Sequence, residues 1–186
     1  MAAPLIFQPL VKYAVFNGRS RRSEFWLFVL SQYVLFGILG YIVFLFMPPL
    51  PIAAKTTPEA MMSWMMHLFQ GMSILNIVQL GLLLPNLAVT VRRLHDSNRS
   101  GWWMLMPYGV MFASFILIGI SIAVMAATQG HQQPQNPAAA IIAIVLLYLL
   151  MLGGFVTLLI FLVLDGTPGP NRFGPDPKGR GNIDVF

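Results

Sequence analysis

Four stretches of this chain are long and apolar enough to cross a bilayer, and they leave room for little other architecture. A helix needs about 20 mainly apolar residues to span the hydrocarbon core. Phe25 to Met47 carries no charge and is stopped by Pro48, Pro49 and Pro51. A second span lies within Leu68 to Val91, a third runs from about Trp102 to Ala127, and a fourth from about Ala138 to Leu164. Only 9% of the 186 residues are charged, against about 25% in a typical soluble domain. Mean hydropathy is +0.74. A globule with a polar shell is excluded, and so is a disordered chain. The absence of cysteine excludes disulfides and thiolate metal sites. The first span exceeds the signal-peptide core of about 7–15 residues, and only Ala53-Ala54 follows it as a weak cleavage signal. A retained helix is expected.

Charge sets the expected orientation. Lys12, Arg19, Arg21 and Arg22 precede the first span, Arg92, Arg93 and Arg99 follow the second, and Arg172, Lys178 and Arg180 follow the fourth. That is 10 of 11 basic residues on one face, with Lys55 alone on the other. By the positive-inside rule both termini are expected in the cytoplasm. The expected fold is all-α, an integral membrane four-helix bundle. A cytoplasmic N-terminal segment (1–24) leads into the four-span domain (25–164), and a cytoplasmic tail (165–186) follows it. The +5 charge does not point to nucleic acid, because no recognition motif accompanies it. No internal repeat is visible.

On the opposite face, Thr57-Pro58-Glu59 reads as a helix start with Thr57 as N-cap. A helix from Pro58 to Val91 would be about 50 Å long, more than a core of about 30 Å requires. Met61 to Phe69, with Trp64 and His67, is therefore expected at the outer interface, with a bend near Gly71. Thr128 to Pro137 reads as a plain connector.

Three dense segments lie on the basic face: Asn17 to Trp26, Arg92 to Trp103, and Asp165 to Pro177. They contain Gly-Arg-x-x-Arg-x-Glu-Phe-Trp, Arg-Arg-Leu-His-Asp with Ser-Gly-Trp-Trp, and Gly-Thr-x-Gly-x-Asn-x-x-Gly-x-Asp-Pro. With these motifs the sequence resembles the small bacterial inner-membrane proteins of the YhaH/YhaI type, a domain family of unknown function. The resemblance runs from about Leu10 to Pro177. It implies a four-helix protein of the bacterial inner membrane and supplies no activity. Two departures stand out: Asn98-Arg99 sits where a Gly-containing turn is expected, and Thr57 to Phe69 is a local elaboration.

Read physically, Arg19, Arg21, Arg22, Arg92, Arg93, Arg99 and Arg172 can meet Glu24, Asp96, Asp165 and Asp176, with His95 and Asn171 among them. Glu24 falls in the first turn of the first span, where the helix dipole favours a carboxylate, and it can accept a bidentate bond from an Arg of the central loop. Two readings follow. One is a clamp that fixes how the helices dock. The other is an anion site, most simply for an anionic phospholipid headgroup, because basic groups outnumber acidic ones in the first two segments. His95-Asp96 admits an acid/base reading, but no nucleophile accompanies it, and His67 and His131 belong to the other face. The pair reads better as a turn capping the third span. No metal, cofactor or catalytic residue is expected.

Within the second span Asn76, Gln79, Asn86 and Thr90 share one helical stripe that ends at Arg93. Such amides bond other helices or line a conduit. Gly119, Ala123 and Ala127 form a small-residue stripe suited to close packing, within the chain or in a homo-oligomer. Trp26, Trp102, Trp103 and Trp64 read as interface anchors, and Met61, Met62, Met65 and Met66 as membrane contacts rather than thioether metal ligands. In the tail, Arg172 and Asp176 are expected to fold back under the bundle, with mobility beyond Lys178. The preferred reading is a scaffold or accessory protein in the lipid bilayer whose Arg-rich cytoplasmic face clamps its own helices and is open to an anionic phospholipid, with a second copy or a membrane partner protein as the candidate partners. The alternatives are a small-solute channel or transporter using the polar stripe and a membrane enzyme centred on His95 and Asp96.

Overall fold

Thr57 starts the longest element as its sequence predicts. Its backbone is extended, its hydroxyl accepts the Ala60 N–H at 3.3 Å, and Pro58 occupies the first helical position. In the computed structural model, which describes residues 4–51, 57–128 and 137–180, every regular element is helical. They are α1 (Gln8–Val11), α2 (Arg22–Leu45), α3 (Pro58–Asp96), a 3-10 turn (Gly101–Leu105), α4 (Met106–Thr128) and α5 (Pro137–Val163). Four helices are long and apolar enough to cross a membrane. Lys55, His131 and the rest of the outer connector, 129–136, lie outside the described residues, as do 181–186.

Two boundaries differ from the sequence reading. α3 is unbroken for 39 residues through both Gly71 and Pro85, so it is about 58 Å long. It also carries Arg92, Arg93, His95 and Asp96 in its last turns, where the sequence suggests a loop. The His-Asp pair therefore closes the second span instead of capping the third. The turn that follows is made by Asn98 at φ +58. Asparagine adopts this left-handed region more readily than other non-glycine residues, so it does the work expected of a glycine.

α2 packs on α3, α4 on α5, and α3 touches α5 and the 3-10 turn. The buried apolar cluster is small and sits at the charged end: Phe25, Phe28, Val89, Leu94, Phe161 and Leu162. Along the rest of the helices large apolar side chains face outward, among them Tyr33, Phe44, Ile77, Phe112 and Tyr148. In lipid such a surface is solvated, and apolar burial no longer drives helices together. Association then depends on close backbone approach and polar bonds. Gly71 supplies one approach, because a Cβ there would collide with Val43 Cγ1. Gly154 supplies another, its Cβ position lying 3.3 Å from Pro107 Cα.

Gly71→Ala is accordingly expected to push α3 off α2 and destabilise the protein by about 1–3 kcal/mol. Adding Val43→Ala should restore most of the loss. Thermal unfolding of both variants in detergent checks this, and failure of the rescue would mean that the crossing is not set by this contact.

Candidate functional site

Asp96 ends α3 with its side chain only 2% exposed, and two arginines from different parts of the chain converge on its carboxylate. Arg19 Nε and Nη2 both lie 2.9 Å from Oδ1, and Arg93 Nη1 donates to Oδ2 at 2.5 Å. Gly18, at φ +89, turns the chain just before Arg19. The Gly18 carbonyl accepts His95 Nδ1–H at 3.2 Å, and Ser20 N–H donates to the Arg92 carbonyl at 3.1 Å. These bonds tie the N-terminal segment along the end of α3 and insert Arg19 into the interior.

The tail wraps the same point. Arg19 Nη1 donates to the Gly169 carbonyl at 2.7 Å and Nη2 to the Thr167 carbonyl at 2.5 Å. Thr167 N–H donates in return to the Asp96 carbonyl at 2.9 Å. Asn171 Nδ2 donates at 3.0 Å to both the His95 carbonyl and Thr167 Oγ1, while its Oδ1 accepts Phe173 N–H at 2.9 Å. A side chain on Gly166 would collide with the Asp96 carboxylate, which explains a glycine there. His95 stacks face to face on Phe173 with centroids 3.8 Å apart. Its Nδ1 bonds to the Gly18 carbonyl while Asp96 is occupied by arginines, so Asp96 does not orient the imidazole for proton transfer.

Arg93 also caps α5. Its Nε donates to the Leu162 carbonyl at 2.9 Å and its Nη2 to the Leu164 carbonyl, which also accepts Arg22 Nε at 3.1 Å. The last carbonyls of a helix lack intrahelical donors and carry partial negative charge, so guanidinium groups are suited to them. Arg92, 1% exposed, faces Glu24 across 3.4 Å. This is a single approach rather than the bidentate bond expected, and no guanidinium nitrogen of Arg92 has a hydrogen-bond partner among the described residues.

The outer members are less enclosed. Asp165 pairs with Arg22 at 3.3 Å and Lys178 at 3.0 Å, and Arg21 donates to the Pro177 carbonyl at 2.5 Å. Arg99 and Arg172 join no ion pair among the described residues. Arg99 lies over the Phe161 ring at 3.6 Å, and Arg172 donates to the Asn98 carbonyl at 3.2 Å. Asp176, with a side chain 2% exposed, accepts Arg180 Nε at 2.9 Å and lies 3.8 Å from Arg19. Burial pushes its carboxyl up, but the Lys178 backbone N–H and the Arg180 and Arg19 guanidinium groups outweigh burial and hold it below its usual 3.8. Arg180 thus belongs to the cluster, beyond the Lys178 limit set from sequence. The signal available was its place four residues after Asp176.

The polar stripe is divided. Asn86 and Gln32 of α2 exchange two amide bonds of 2.8 Å, and Thr90 Oγ1 donates to the Asn86 carbonyl at 2.7 Å. Asn76 and Gln79 are exposed on the helix surface, and Gln79 edges a groove of about 310 Å³ with Val29, Gln32, Tyr33, Phe36 and Asn86. Gln32 escaped the sequence reading, although it is the one amide of the first span. Among the described residues no cluster of three or more His, Asp or Glu has the makings of a metal site.

Asp96→Asn should leave two buried guanidinium groups short of charge, and a broken buried pair typically costs about 3–5 kcal/mol. A thermal unfolding shift smaller than that of an exposed control, Asp165→Asn, would contradict the central place of Asp96. The depressed Asp176 carboxyl gives a pH signature. Its stabilisation is complete above the unfolded carboxyl pKa, hence above about pH 5, and is lost as pH falls through the lower folded value. Limited trypsin digestion of the tail is expected to accelerate on acid pre-incubation, and Asp176→Asn should flatten that dependence.

Residues 13–175 match the family described as a protein of unknown function, DUF805. The chain is 28% identical over 169 residues to the inner membrane protein YhaH of Escherichia coli K12, covering 91% of this chain and 92% of the relative. It is also 28% identical over 173 residues to the inner membrane protein YhaI of the same strain, covering 93% and 94%. No solved structure matches.

Proposed function

The chain belongs to the DUF805 family, and from that premise we propose that it is a non-enzymatic accessory or scaffold protein of the bacterial inner membrane, with both termini cytoplasmic. One observation carries this reading: the buried arginines Arg19 and Arg93 spend their donors on Asp96 and on carbonyls of the tail and α5. An anion site would present such donors to an open concavity. Here the tail fills that place at Arg19 and Arg93, whose donors go to backbone carbonyls as well as to Asp96, while Arg92 is enclosed beside Glu24.

A lock of this kind fixes the helices at one end and leaves their apolar flanks to lipid and to helices of another membrane protein or a second copy. Gly119 and Ala123 on α4 support that use. Both are exposed, and a Cβ at Gly119 would meet nothing within 4 Å; the side chain of Ala127 lies outside the described residues. The inner-membrane relatives and the 10 basic residues gathered on one face support the location and orientation. Catalysis finds little support at His95, which edges a cavity of about 320 Å³ otherwise lined by Val91, Gly101, Trp102, Met104 and Leu105. A conduit finds little in the stripe, where Asn86 is committed to Gln32.

Native mass spectrometry with phosphatidylglycerol and cardiolipin added back tests the reading. The expected result is no headgroup-selective adduct that depends on Arg93, together with a lowered unfolding temperature in Arg93→Ala. A stoichiometric anionic lipid lost in that variant would instead make the Arg-rich end a lipid site. For orientation, a C-terminal green fluorescent protein fusion should fluoresce and a C-terminal alkaline phosphatase fusion should be inactive.

A further inference from the structure

The N-terminal arm, residues 4–16, carries an observation that neither the clamp nor the orientation uses. Pro85 has no N–H, so the carbonyl four residues earlier in α3, that of Gly81, loses its intrahelical donor. The Tyr13 hydroxyl donates to that carbonyl. A helix interior that a proline would leave unsatisfied is thereby completed from another part of the chain.

This bond fixes a depth. Gly81 precedes the buried Arg92 by 11 residues, which is about 16 Å along the helix axis and about half of a hydrocarbon core of about 30 Å. α1 packs against both α2 and α3 there, with Pro9 buried. The outward side of the arm is apolar: Phe7, Leu10, Val11, Val15 and Phe16 are all exposed, Val11 by 70%. Lys12 is its one charge, on a stem long enough to reach the interface. Non-helical backbone at membrane depth must satisfy its polar groups internally. The N–H groups of Phe7, Gln8, Leu10, Val11, Lys12 and Val15 all donate to carbonyls within the arm.

We propose that residues 4–16 form a membrane-embedded arm whose partner is the acyl-chain region of the leaflet at the Arg-rich end, anchored by Tyr13 at the gap that Pro85 opens in α3. The arm is part of the lipid-facing belt of α2 and α3 and not an aqueous extension, so residues 4–16 of the N-terminal segment expected in the cytoplasm lie in the cytoplasmic leaflet. Tyr13 and Pro85 act as a matched pair: one removes a donor and the other replaces it.

The chain lacks cysteine, so single reporters are readily placed. The variants Val11→Cys and Val15→Cys, carrying a nitrobenzoxadiazole label in liposomes, would be exposed to doxyl-labelled acyl chains and to aqueous iodide. Ile77→Cys serves as the lipid-facing control and Lys178→Cys as the aqueous one. Both arm labels are expected to follow Ile77, with strong doxyl quenching and little iodide quenching. Iodide quenching like that of Lys178 would overturn the proposal. Protection from both quenchers would overturn it equally, since protein and not lipid would then cover the arm. Introducing Tyr13→Phe, or Pro85→Ala to restore a competing N–H, should raise iodide quenching at Val11 severalfold; no change in either would remove the anchor.

Discussion

A single carboxylate holds the charged end together. Asp96 accepts from Arg19 on one oxygen and Arg93 on the other, and each guanidinium carries its remaining donors to a different partner. Arg19 reaches the tail at Thr167 and Gly169, and Arg93 reaches the end of α5 at Leu162. The N-terminal segment, α3, α5 and the tail therefore meet through one buried group. Two cations on one carboxylate would be poorly balanced alone. The helix-end carbonyls and the nearby Asp176 supply the missing negative charge.

Lipid makes such a lock worthwhile. Apolar side chains gain little by leaving a hydrocarbon solvent for one another, so a four-helix membrane protein needs polar bonds and close backbone contacts to choose one arrangement. Here the buried apolar cluster is confined to the end where the charged lock lies. Further along, α2 and α3 are joined by the Gln32–Asn86 amide pair and by the Gly71–Val43 contact. Pro85 sits between these devices, and its missing donor is replaced by Tyr13. The sharp polar contacts are few, and each does a task that hydrophobic packing would perform in water.

The motifs read in the sequence acquire separate physical tasks in this arrangement. Gly18 turns the chain so that Arg19 enters, Leu94 fills the core between the charged residues of its own segment, and Gly166 lets the tail backbone pass against Asp96. Arg99 and Arg172 were equally visible as charges, yet they lie over aromatic rings. Charge sign and spacing do not distinguish an arginine bound for a carboxylate from one bound for a ring. That choice depends on which backbone the folded tail brings near, and Pro-Gly segments leave no periodicity from which to read it.

The sequence by itself determined the solvent, the helix number and the family motifs, because apolar run length, proline stops and the Thr57 cap act locally. Even the stripe of Asn86 and Thr90 follows from helical geometry alone. Tertiary structure decided the partners: Gln32 for Asn86, Tyr13 for the Gly81 carbonyl, and tail carbonyls for Arg19. Each of these joins residues far apart in the chain, and two of the three end on backbone oxygens, which every residue possesses. A sequence marks where a donor is, but only the fold shows which carbonyl has been left without one.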